Sequence, residues 1–331
     1  MSESLDQVYE VLLAEHPQDR LLSAQVVAAF GRQYLVRLAD GTEMTCLTRG
    51  KKSEAACGDW VEVRRTEHPS TKSVPGKIKG IGTTPSPVLL SGAQGVIERI
   101  APRSSLLHRS DAFREKIIAA NVTQIIVVVA AEPSFSDELL ARCLVAAYDQ
   151  NLEVLIVLNK CDLLDAATAA RSRLKSYSAI GYRVLELSAK EDVSKLRPFL
   201  AGHSSVLVGQ SGMGKSTLIN ALLPDAQAAT REISFALDSG KHTTTHARLY
   251  LLDKTSNLID CPGVQAFGLH HLSFGRIEQG FVEFAQFLGL CRFHDCRHLH
   301  EPGCALRNAV EAGKVDARRM VLFQHITAAR H

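Results

Sequence analysis

The sequence has few of the features that mark membrane-spanning, secreted or strongly charged proteins. Its longest apolar run, residues 125–131, is far shorter than the roughly 20 residues that a membrane span needs. The first ten residues contain neither a basic nor an apolar segment, so we expect no secretion signal and a cytoplasmic protein without membrane contact. The net charge of +3 is too small to indicate a polyanionic partner, and no internal repeat is visible.

The composition is that of an ordinary globular protein. Hydrophobic residues make up 46% and charged residues 22% of the 331 positions, which excludes wholesale disorder. A chain of this length can form two or three compact domains. It contains eight cysteines, and in a cytosolic protein a tight cluster of cysteine and histidine favours a metal site over disulfides.

The pattern of apolar residues divides the chain into regions. Residues 1–20 predict a short amphipathic helix, because apolar side chains recur there at helical spacing. Short alternating runs between Leu22 and Pro102 predict a small antiparallel β-barrel, interrupted by a long flexible loop at 66–94 that is rich in turn-forming residues. From Asn121 onward apolar strands alternate with helical segments, which predicts a mostly parallel sheet with helices on both faces.

A glycine-rich segment follows one of these apolar strands and fits the phosphate-binding pattern G-x-x-x-x-G-K-[ST]. Backbone N–H groups of such a loop converge on phosphate oxygens at the start of a helix. Lys215 would reach the β- and γ-phosphates, and the Ser216 hydroxyl would ligate Mg²⁺. The residues of this predicted nucleotide site are Gly209, Gln210, Ser211, Gly212, Met213, Gly214, Lys215, Ser216 and Thr217.

Two further strand ends carry residues that select the base. In the N-K-x-D segment at 159–162, the Asp162 carboxylate can accept hydrogen bonds from N1–H and the 2-amino group of guanine, whereas adenine would leave it unpaired. The S-A-K segment at 188–190 would meet guanine O6 with a backbone N–H, and together the two segments predict a guanine nucleotide. The base-binding residues are Asn159, which would brace the neighbouring loops, Lys160, Asp162, Ser188, Ala189 and Lys190.

The elements that would respond to the γ-phosphate come later in the chain. Asp260 and Gly263 fit the pattern D-x-x-G, in which the aspartate holds Mg²⁺ through water and the glycine N–H senses the γ-phosphate. Between this pattern and the phosphate loop lie His242, Thr243 and Thr244. One threonine would ligate Mg²⁺, with Thr244 the first choice and Thr243 the second. His242 is either the residue that positions the attacking water or an exposed histidine without a catalytic part.

The residue that orients water in many GTPases is missing. Those enzymes place glutamine directly after D-x-x-G, whereas this chain has Val264, which has no hydrogen-bonding side chain. We therefore expect a low intrinsic rate of hydrolysis that a partner raises.

The order of these elements is unusual. Most small GTPases carry the phosphate loop first and the two base-binding segments last, but here the base-binding segments precede the phosphate loop. Such a circular permutation keeps the sheet and the site while it moves the termini. The D-x-x-G segment then leads almost directly into the C-terminal region, so gain or loss of the γ-phosphate could move that region as a lever.

Four potential metal ligands lie within fourteen residues near the C-terminus: Cys291, Cys296, His298 and Cys304. Three thiolates and one imidazole make a closed tetrahedral set for Zn²⁺, without an open position for catalysis. The short tail has little apolar core of its own, which favours a structural zinc ion over a group of buried, reduced cysteines.

These motifs resemble the ribosome small-subunit-dependent GTPase A family (RsgA/YjeQ) over nearly the whole chain. The resemblance rests on the permuted order, GQSGMGKSTLIN, the HTTT run, DxPG and CRFHDCRHLHEPGC. It implies a multidomain protein with an N-terminal OB-type β-barrel, a central α/β P-loop GTPase domain and a C-terminal α-helical zinc-binding domain. We expect these domains at 1–108, 109–272 and 273–331.

The resemblance also implies a function. Members act late in the maturation of the small (30S) ribosomal subunit, with GTP hydrolysis stimulated by that subunit and ribosomal RNA contacted by the barrel and the zinc domain. A monomer is the simpler expectation for such a factor.

The loop at 66–94 is longer than the family usually carries. Lys and Arg outnumber Asp and Glu by eight to four in 49–79, which suits contacts to RNA phosphates and, equally, a solvated basic face.

Two other classes of function fit parts of the sequence. In a nucleotide-gated RNA-binding assembly checkpoint factor, the GTP state would control binding and turnover would be incidental. A Thr244→Ala variant that does not hydrolyse GTP would separate this hypothesis from a GTPase cycle. A P-loop ATPase or kinase that merely carries N-K-C-D is the second alternative, and competition between GTP and ATP for the site would distinguish it.

Overall fold

A computed structural model describes residues 21–31, 33–49, 55–66, 93–111, 114–223, 247–261 and 268–328. Within these ranges the strands are β1 (Leu22–Phe30), β2 (Gln33–Leu38), β3 (Glu43–Thr48), β4 (Trp60–Arg65), β5 (Gly95–Ile100), β6 (Leu106–Asp111), β7 (Arg114–Ala120), β8 (Gln124–Ala130), β9 (Glu153–Asn159), β10 (Arg183–Glu186), β11 (Ser204–Val208), β12 (Arg248–Leu251) and β13 (Asn257–Asp260). The helices are α1 (Asp137–Asp149), α2 (Leu164–Ala179), α3 (Arg197–Leu200), α4 (Lys215–Leu222), α5 (Phe274–Gly280), α6 (Ala305–Glu311) and α7 (Ala317–Ala328). Short 3₁₀ segments cover Ser194–Leu196 and Val282–Phe287. The helix predicted at 1–20 and most of the loop at 66–94 lie outside the described residues.

The first five strands close into a barrel. β1 pairs with both β2 and β4, β2 pairs with β3, and β5 joins β3 to β4. The β3–β5 pair is parallel and the others are antiparallel. Buried and partly exposed residues alternate along β2, where Tyr34, Val36 and Leu38 face the barrel core, as a half-buried strand requires. This confirms the OB-type barrel expected at the N-terminus.

A second set of strands forms the sheet on which the predicted nucleotide site lies. β10, β9, β8, β11 and β13 lie side by side in that order, each parallel to its neighbour. All seven residues of β8 are buried, because helices cover parallel sheets on both faces. The carboxyl ends of these strands lie at one edge of the sheet, and in such folds this edge is where ligands bind.

The barrel and the parallel sheet are joined by hydrogen bonds, a feature that the apolar pattern does not reveal. β12, antiparallel to β13, also pairs with β1 at Ala28 and Arg248, so that one continuous sheet of eleven strands results. The β6–β7 hairpin follows the barrel and is a separate two-stranded sheet. Residue 108 lies inside β6, so the hairpin spans the expected boundary between the first two domains.

The C-terminal helices pack on α1 of the parallel-sheet domain. Gly280 ends α5 so close to Val145 of α1 that an added Cβ atom would lie 3.0 Å from both Val145 γ-carbons. Arg276 of α5 donates to the Asp149 carboxylate at 3.0 and 3.1 Å. Arg319 of α7 is 2% exposed and pairs with Glu283 at 2.6 Å. The close Gly280–Val145 contact and the Arg276–Asp149 ion pair therefore hold the C-terminal unit on the nucleotide domain, while the Arg319–Glu283 pair lies within that unit.

Among the described residues, no helix is both long enough and apolar enough to span a membrane.

Candidate nucleotide-binding site and metal centre

The glycine-rich loop connects β11 to α4 and needs glycine at two positions for steric reasons. Gly209 has φ +149°, and a Cβ atom there would lie 2.3 Å from the carbonyl oxygen of Val128. Gly214, directly before α4, has φ +89°, and its Cβ atom would lie 2.3 Å from the side-chain nitrogen of Asn159. Both angles are unfavourable for other residues. The loop can therefore pack this closely against β8 and β9 only with glycine at both positions.

Lys215, the first residue of α4, lies over the start of the loop. Its ammonium donates to the carbonyl oxygens of Gly209 and, at 2.9 Å, Gln210. Burial lowers the pKa of Lys215, while the negative charge of Asp260 opposes this change. Burial in turn raises the pKa of Asp260, and Lys215 opposes it. Lys215, the predicted phosphate contact, and Asp260, the predicted Mg²⁺ contact, therefore lie close enough for their charges to interact.

Asn159 joins the phosphate loop to the S-A-K segment. Its side-chain nitrogen donates to the carbonyl oxygen of Met213 at 2.9 Å, and its side-chain oxygen accepts from the Ala189 N–H at 2.9 Å. Asn159 is 1% exposed, and a buried amide that loses its partners is costly. This side chain therefore fixes the distance between the glycine-rich loop and the S-A-K segment.

The loop between β8 and α1 supports the other side of the site. Lys160 has φ +61° and donates from its ammonium to the carbonyl oxygen of Glu132 at 2.7 Å. The Gln210 side-chain oxygen accepts from the backbone N–H of Ser136 at 2.8 Å, and Ser136 caps α1. The phosphate loop is thus bonded to the N-terminus of α1, a contact that sequence reasoning missed.

One polar atom at the base-binding edge has no partner within the described residues. Ser188 is 6% exposed, and its hydroxyl oxygen makes no hydrogen bond in this part of the chain. Asp162 and Lys190 are exposed on the flanking loops. A buried hydroxyl without a partner costs free energy, so an external group that bonds it would be favoured here.

The structure brings together most, but not all, of the residues predicted for the nucleotide. Ser216 and Thr217 lie exposed in the first turn of α4, and Asp260 ends β13 beside β11. The described residues do not include His242, Thr243, Thr244, Gly263 or Val264.

The four predicted metal ligands meet in one cluster. The donor atoms of Cys291, Cys296, His298 and Cys304 all lie within 4.8 Å of one another. The Nδ1 atom of His298 is 3.6, 3.5 and 3.2 Å from the three sulfur atoms in chain order. Ligand atoms around a tetrahedral ion with bonds of 2.0–2.3 Å are separated by roughly 3.5–3.8 Å. The donor set and its spacing therefore fit a metal ion of this kind.

The residues around the cluster hold its ligands in place. The Sγ atom of Cys291 accepts from the Ala305 N–H at 3.3 Å, and that of Cys304 accepts from the Arg307 N–H at 3.5 Å. Such contacts outside the cluster orient the side chains that would bind a metal. Nε2 of His298, the ring nitrogen directed away from the sulfur atoms, hydrogen-bonds to the Glu278 carboxylate.

Another carboxylate stabilises the loop that carries these ligands. The side chain of Glu301 accepts three hydrogen bonds at 2.8–3.1 Å. The donors are the backbone N–H groups of Arg297, Leu299 and His300. Burial alone would raise the pKa of Glu301, but these bonds outweigh it and lower the pKa to about 2.

Sequence reasoning missed Glu278 and Glu301, and three other potential metal ligands are not part of the cluster. His294 and His300 are exposed and lie outside the cluster, and Cys261 is buried at the end of β13. Glu278 has no local signal, because it lies thirteen residues before the first ligand and on a different element. Glu301 could be found only from the backbone N–H groups that surround it.

Comparison with known proteins finds a matching family and similar proteins. A profile of the RsgA GTPase family matches residues 100–270. A protein of Nitrosospira multiformis named Small ribosomal subunit biogenesis GTPase RsgA is 53% identical over 308 residues, which cover 93% of this chain and 91% of that protein.

Two solved structures resemble the whole chain. YjeQ from Thermotoga maritima is 27% identical with a TM-score of 0.65, covering 94% of this chain and 99% of the other. YloQ, described as a circularly permuted GTPase, has a TM-score of 0.63 over 95% of this chain and 96% of its own. At 23% identity it supports the fold alone. From these matches and the order of its motifs, this chain belongs to the RsgA GTPase family, with a circularly permuted GTPase domain.

Proposed function

We propose that this protein hydrolyses GTP during late maturation of the small (30S) ribosomal subunit, where it binds ribosomal RNA. The observation that supports this most is the assembled site around Asn159, in a chain 53% identical to a relative named for small-subunit biogenesis. We place the protein in the cytoplasm as a monomer that has no membrane partner. The domains that carry out this function are proposed at 1–108, 109–272 and 273–331.

The nucleotide would lie along the carboxyl edge of the parallel sheet. Backbone N–H groups of 209–214 would surround the phosphates, and Lys215 would exchange its carbonyl contacts for phosphate oxygens. Asp162 would accept from guanine N1–H and the 2-amino group. Ser188 has a buried hydroxyl available for a partner in this region, and the neighbouring Ala189 N–H is already bonded to Asn159.

Magnesium would enter with GTP. We propose Ser216 and Thr244 as its ligands, with Thr243 the second choice, and Asp260 as a contact through water. The ion supplies positive charge where negative charge develops on the phosphates. Gly263 would sense the γ-phosphate and His242 would position the attacking water.

The cluster of three cysteines and one histidine is proposed to hold one structural zinc ion. Thiolate and imidazole ligands in a closed set of four suit Zn²⁺ better than a hard cation. Metal analysis of the purified protein should find about one zinc ion per chain, and Cys291→Ser should lower both zinc content and melting temperature. A variant that kept its zinc and its melting temperature would contradict the assignment.

Nucleotide competition tests the first part of this proposal. Labelled GDP bound to the purified protein should be displaced by unlabelled GTP and not by equal ATP, because adenine leaves the Asp162 carboxylate unpaired. Displacement by both nucleotides would favour an ATPase or kinase. Co-sedimentation with small subunits in a non-hydrolysable GTP analogue and in GDP then tests the partner, and the large subunit is the control.

A further inference from the structure

The imidazole of His298 is held by a carboxylate from outside the metal-binding loop. All four ligands lie within 291–304, whereas Glu278 belongs to α5. Its carboxylate bonds to Nε2, and Nδ1 is the nitrogen that faces the sulfur atoms. His298 is 5% and Glu278 18% exposed in their side chains. Bulk water therefore has little access to this contact.

Within the described residues, the other contacts of His298 leave the ring nitrogens free for this arrangement. Gln324 donates to its backbone carbonyl oxygen at 2.9 Å and does not touch the ring. The rings of Phe274 and Phe323 pack against the imidazole at centroid distances of 6.3 and 6.1 Å. These contacts restrict the tilt of the ring, but they do not decide which nitrogen carries the proton. Glu278 does, because a carboxylate accepts the Nε2 proton and leaves the Nδ1 lone pair for a metal.

The helix that carries Glu278 is itself fixed on the nucleotide domain. Gly280 packs against Val145, and Arg276 bonds to the Asp149 carboxylate. A residue can orient a ligand only if its own position is fixed. Here the fixed position comes from α1, whose N-terminal Ser136 is bonded to the phosphate loop.

We propose that Glu278 is the positioning residue for the metal centre, fixing the tautomer and orientation of His298 from the docked helix α5. This inference rests on the proposal that the cluster binds zinc. Retention of the ion then depends on a residue that belongs to none of the ligand-bearing segments. It also ties the metal-binding loop to the surface of the nucleotide domain.

The test is the rate at which the full-length protein loaded with Zn²⁺ releases the ion to the chromogenic chelator 4-(2-pyridylazo)resorcinol. Glu278→Gln keeps the shape of the side chain and removes its charge, while Glu278→Ala removes the contact. We expect release to be faster by about 10- to 100-fold, with the alanine variant at the upper end, as for other partners of metal-bound histidine. Glu311→Gln, on the exposed surface of α6, should release zinc at the wild-type rate.

A second measurement separates positioning from general loss of structure. With Co²⁺ in place of Zn²⁺, the ligand-field absorption bands of Glu278→Gln should shift or weaken, while its GDP affinity stays at the wild-type value. Wild-type release rates and an unchanged Co²⁺ spectrum in both Glu278 variants would overturn this inference and leave the zinc site standing. Absence of zinc from the wild-type protein would instead refute the metal site itself.

Discussion

Asn159 uses both ends of its side chain amide, one for the phosphate loop and one for the S-A-K segment. Each bond ends on a backbone group, Met213 O or Ala189 N–H, so this one side chain joins the main chains of the two loops. Lys215, at the start of α4, and Asp260, at the end of β13, interact electrostatically. At the residue scale, the geometry of the site therefore depends on one buried amide.

Replacing that amide should weaken both folding and nucleotide binding. In Asn159→Ala, two buried backbone groups lose their partners, and we expect the free energy of unfolding to fall by about 1–3 kcal/mol. GDP affinity should fall as well, because the loops for base and phosphate are no longer held together. Urea unfolding and fluorescent-GDP titration would measure this, with the exposed Asn308→Ala of α6 as control. Wild-type values for both would contradict the role given to Asn159.

A pair of glycine substitutions separates backbone strain from steric overlap. Gly181 has φ +100° with open space around its Cβ position, whereas Gly214 has φ +89° and would place a Cβ atom 2.3 Å from Asn159. Gly181→Ala should cost only the strain, roughly 1–2 kcal/mol. Gly214→Ala should cost more and lower GDP affinity, because Asn159 must move. Equal unfolding free energies and unchanged GDP affinity would exclude this close packing.

The Glu301 carboxylate should make the metal-binding loop sensitive to acid. Its pKa in the folded protein is lowered to about 2, below the ordinary value of about 4.3. Its contribution is therefore present above about pH 4.3 and is lost as the pH falls toward 2. At pH 6 the free energy of unfolding of Glu301→Gln should be lower than that of the wild type. At pH 3 the difference between the two should be smaller. Glu311→Gln is the control in chemical unfolding, and an equal difference at both pH values would contradict the prediction.

Residue types allowed a site to be predicted from the sequence where its residues lie in one short segment. The glycine-rich loop and the cluster of three cysteines and one histidine could be predicted because each set is local and its spacing is typical of one kind of ligand. Glu278 could not be found, because its partner His298 lies twenty residues away and only the packing of α5 brings them together. The threonines and His242 stay predictions, since they lie outside the described residues.

At the scale of elements, α1 connects the parts of the molecule. Its N-terminal cap is bonded to the phosphate loop, and its outer face holds α5 and α7 of the C-terminal unit. Any lever movement of that unit after γ-phosphate loss would have to break the Arg276–Asp149 pair or slide Gly280 past Val145. The C-terminal unit is thus better described as docked than as freely hinged.

Arg319, which pairs with the buried Glu283 inside the C-terminal unit, also contacts the nucleotide domain. Arg319 lies over the rings of Phe281 and Tyr177 at 4.5 and 5.2 Å, and Tyr177 belongs to α2. Arg319→Ala leaves the buried Glu283 without its partner and should lower the free energy of unfolding by about 3–5 kcal/mol. The double variant Arg319→Met with Glu283→Met should regain most of that loss in denaturant unfolding. A single variant as stable as the wild type would show that the pair does not stabilise the folded protein.

Strands were predictable where the apolar pattern was regular, whereas the pairing between strands was not. β8 overlaps the apolar run at 125–131, and both β8 and α1 lie in the region from Asn121 onward where alternating strands and helices were predicted. The β6–β7 hairpin has a polar centre at 108–116 and lacks the alternation that marks a strand. Its existence depends on pairing between the two strands, which a single-segment pattern does not contain.

At the scale of the whole molecule, the permutation places three units around one sheet. The barrel joins the nucleotide domain through β1 and β12, and β12 pairs with the strand that ends at Asp260. The C-terminal unit is docked on a different element of the nucleotide domain, helix α1. Both RNA-contacting units proposed for this protein are therefore attached directly to elements that border the nucleotide site.

The proposed function is tested most directly by GTP hydrolysis by the purified protein, alone and with small ribosomal subunits, using large subunits as the control. We predict slow turnover alone and an increase of at least about tenfold with small subunits, equivalent to about 1.4 kcal/mol of barrier. Lys215→Ala should abolish the increase. Rapid hydrolysis by the isolated protein, or no increase with small subunits while GTP still binds, would contradict the proposal of a subunit-activated GTPase.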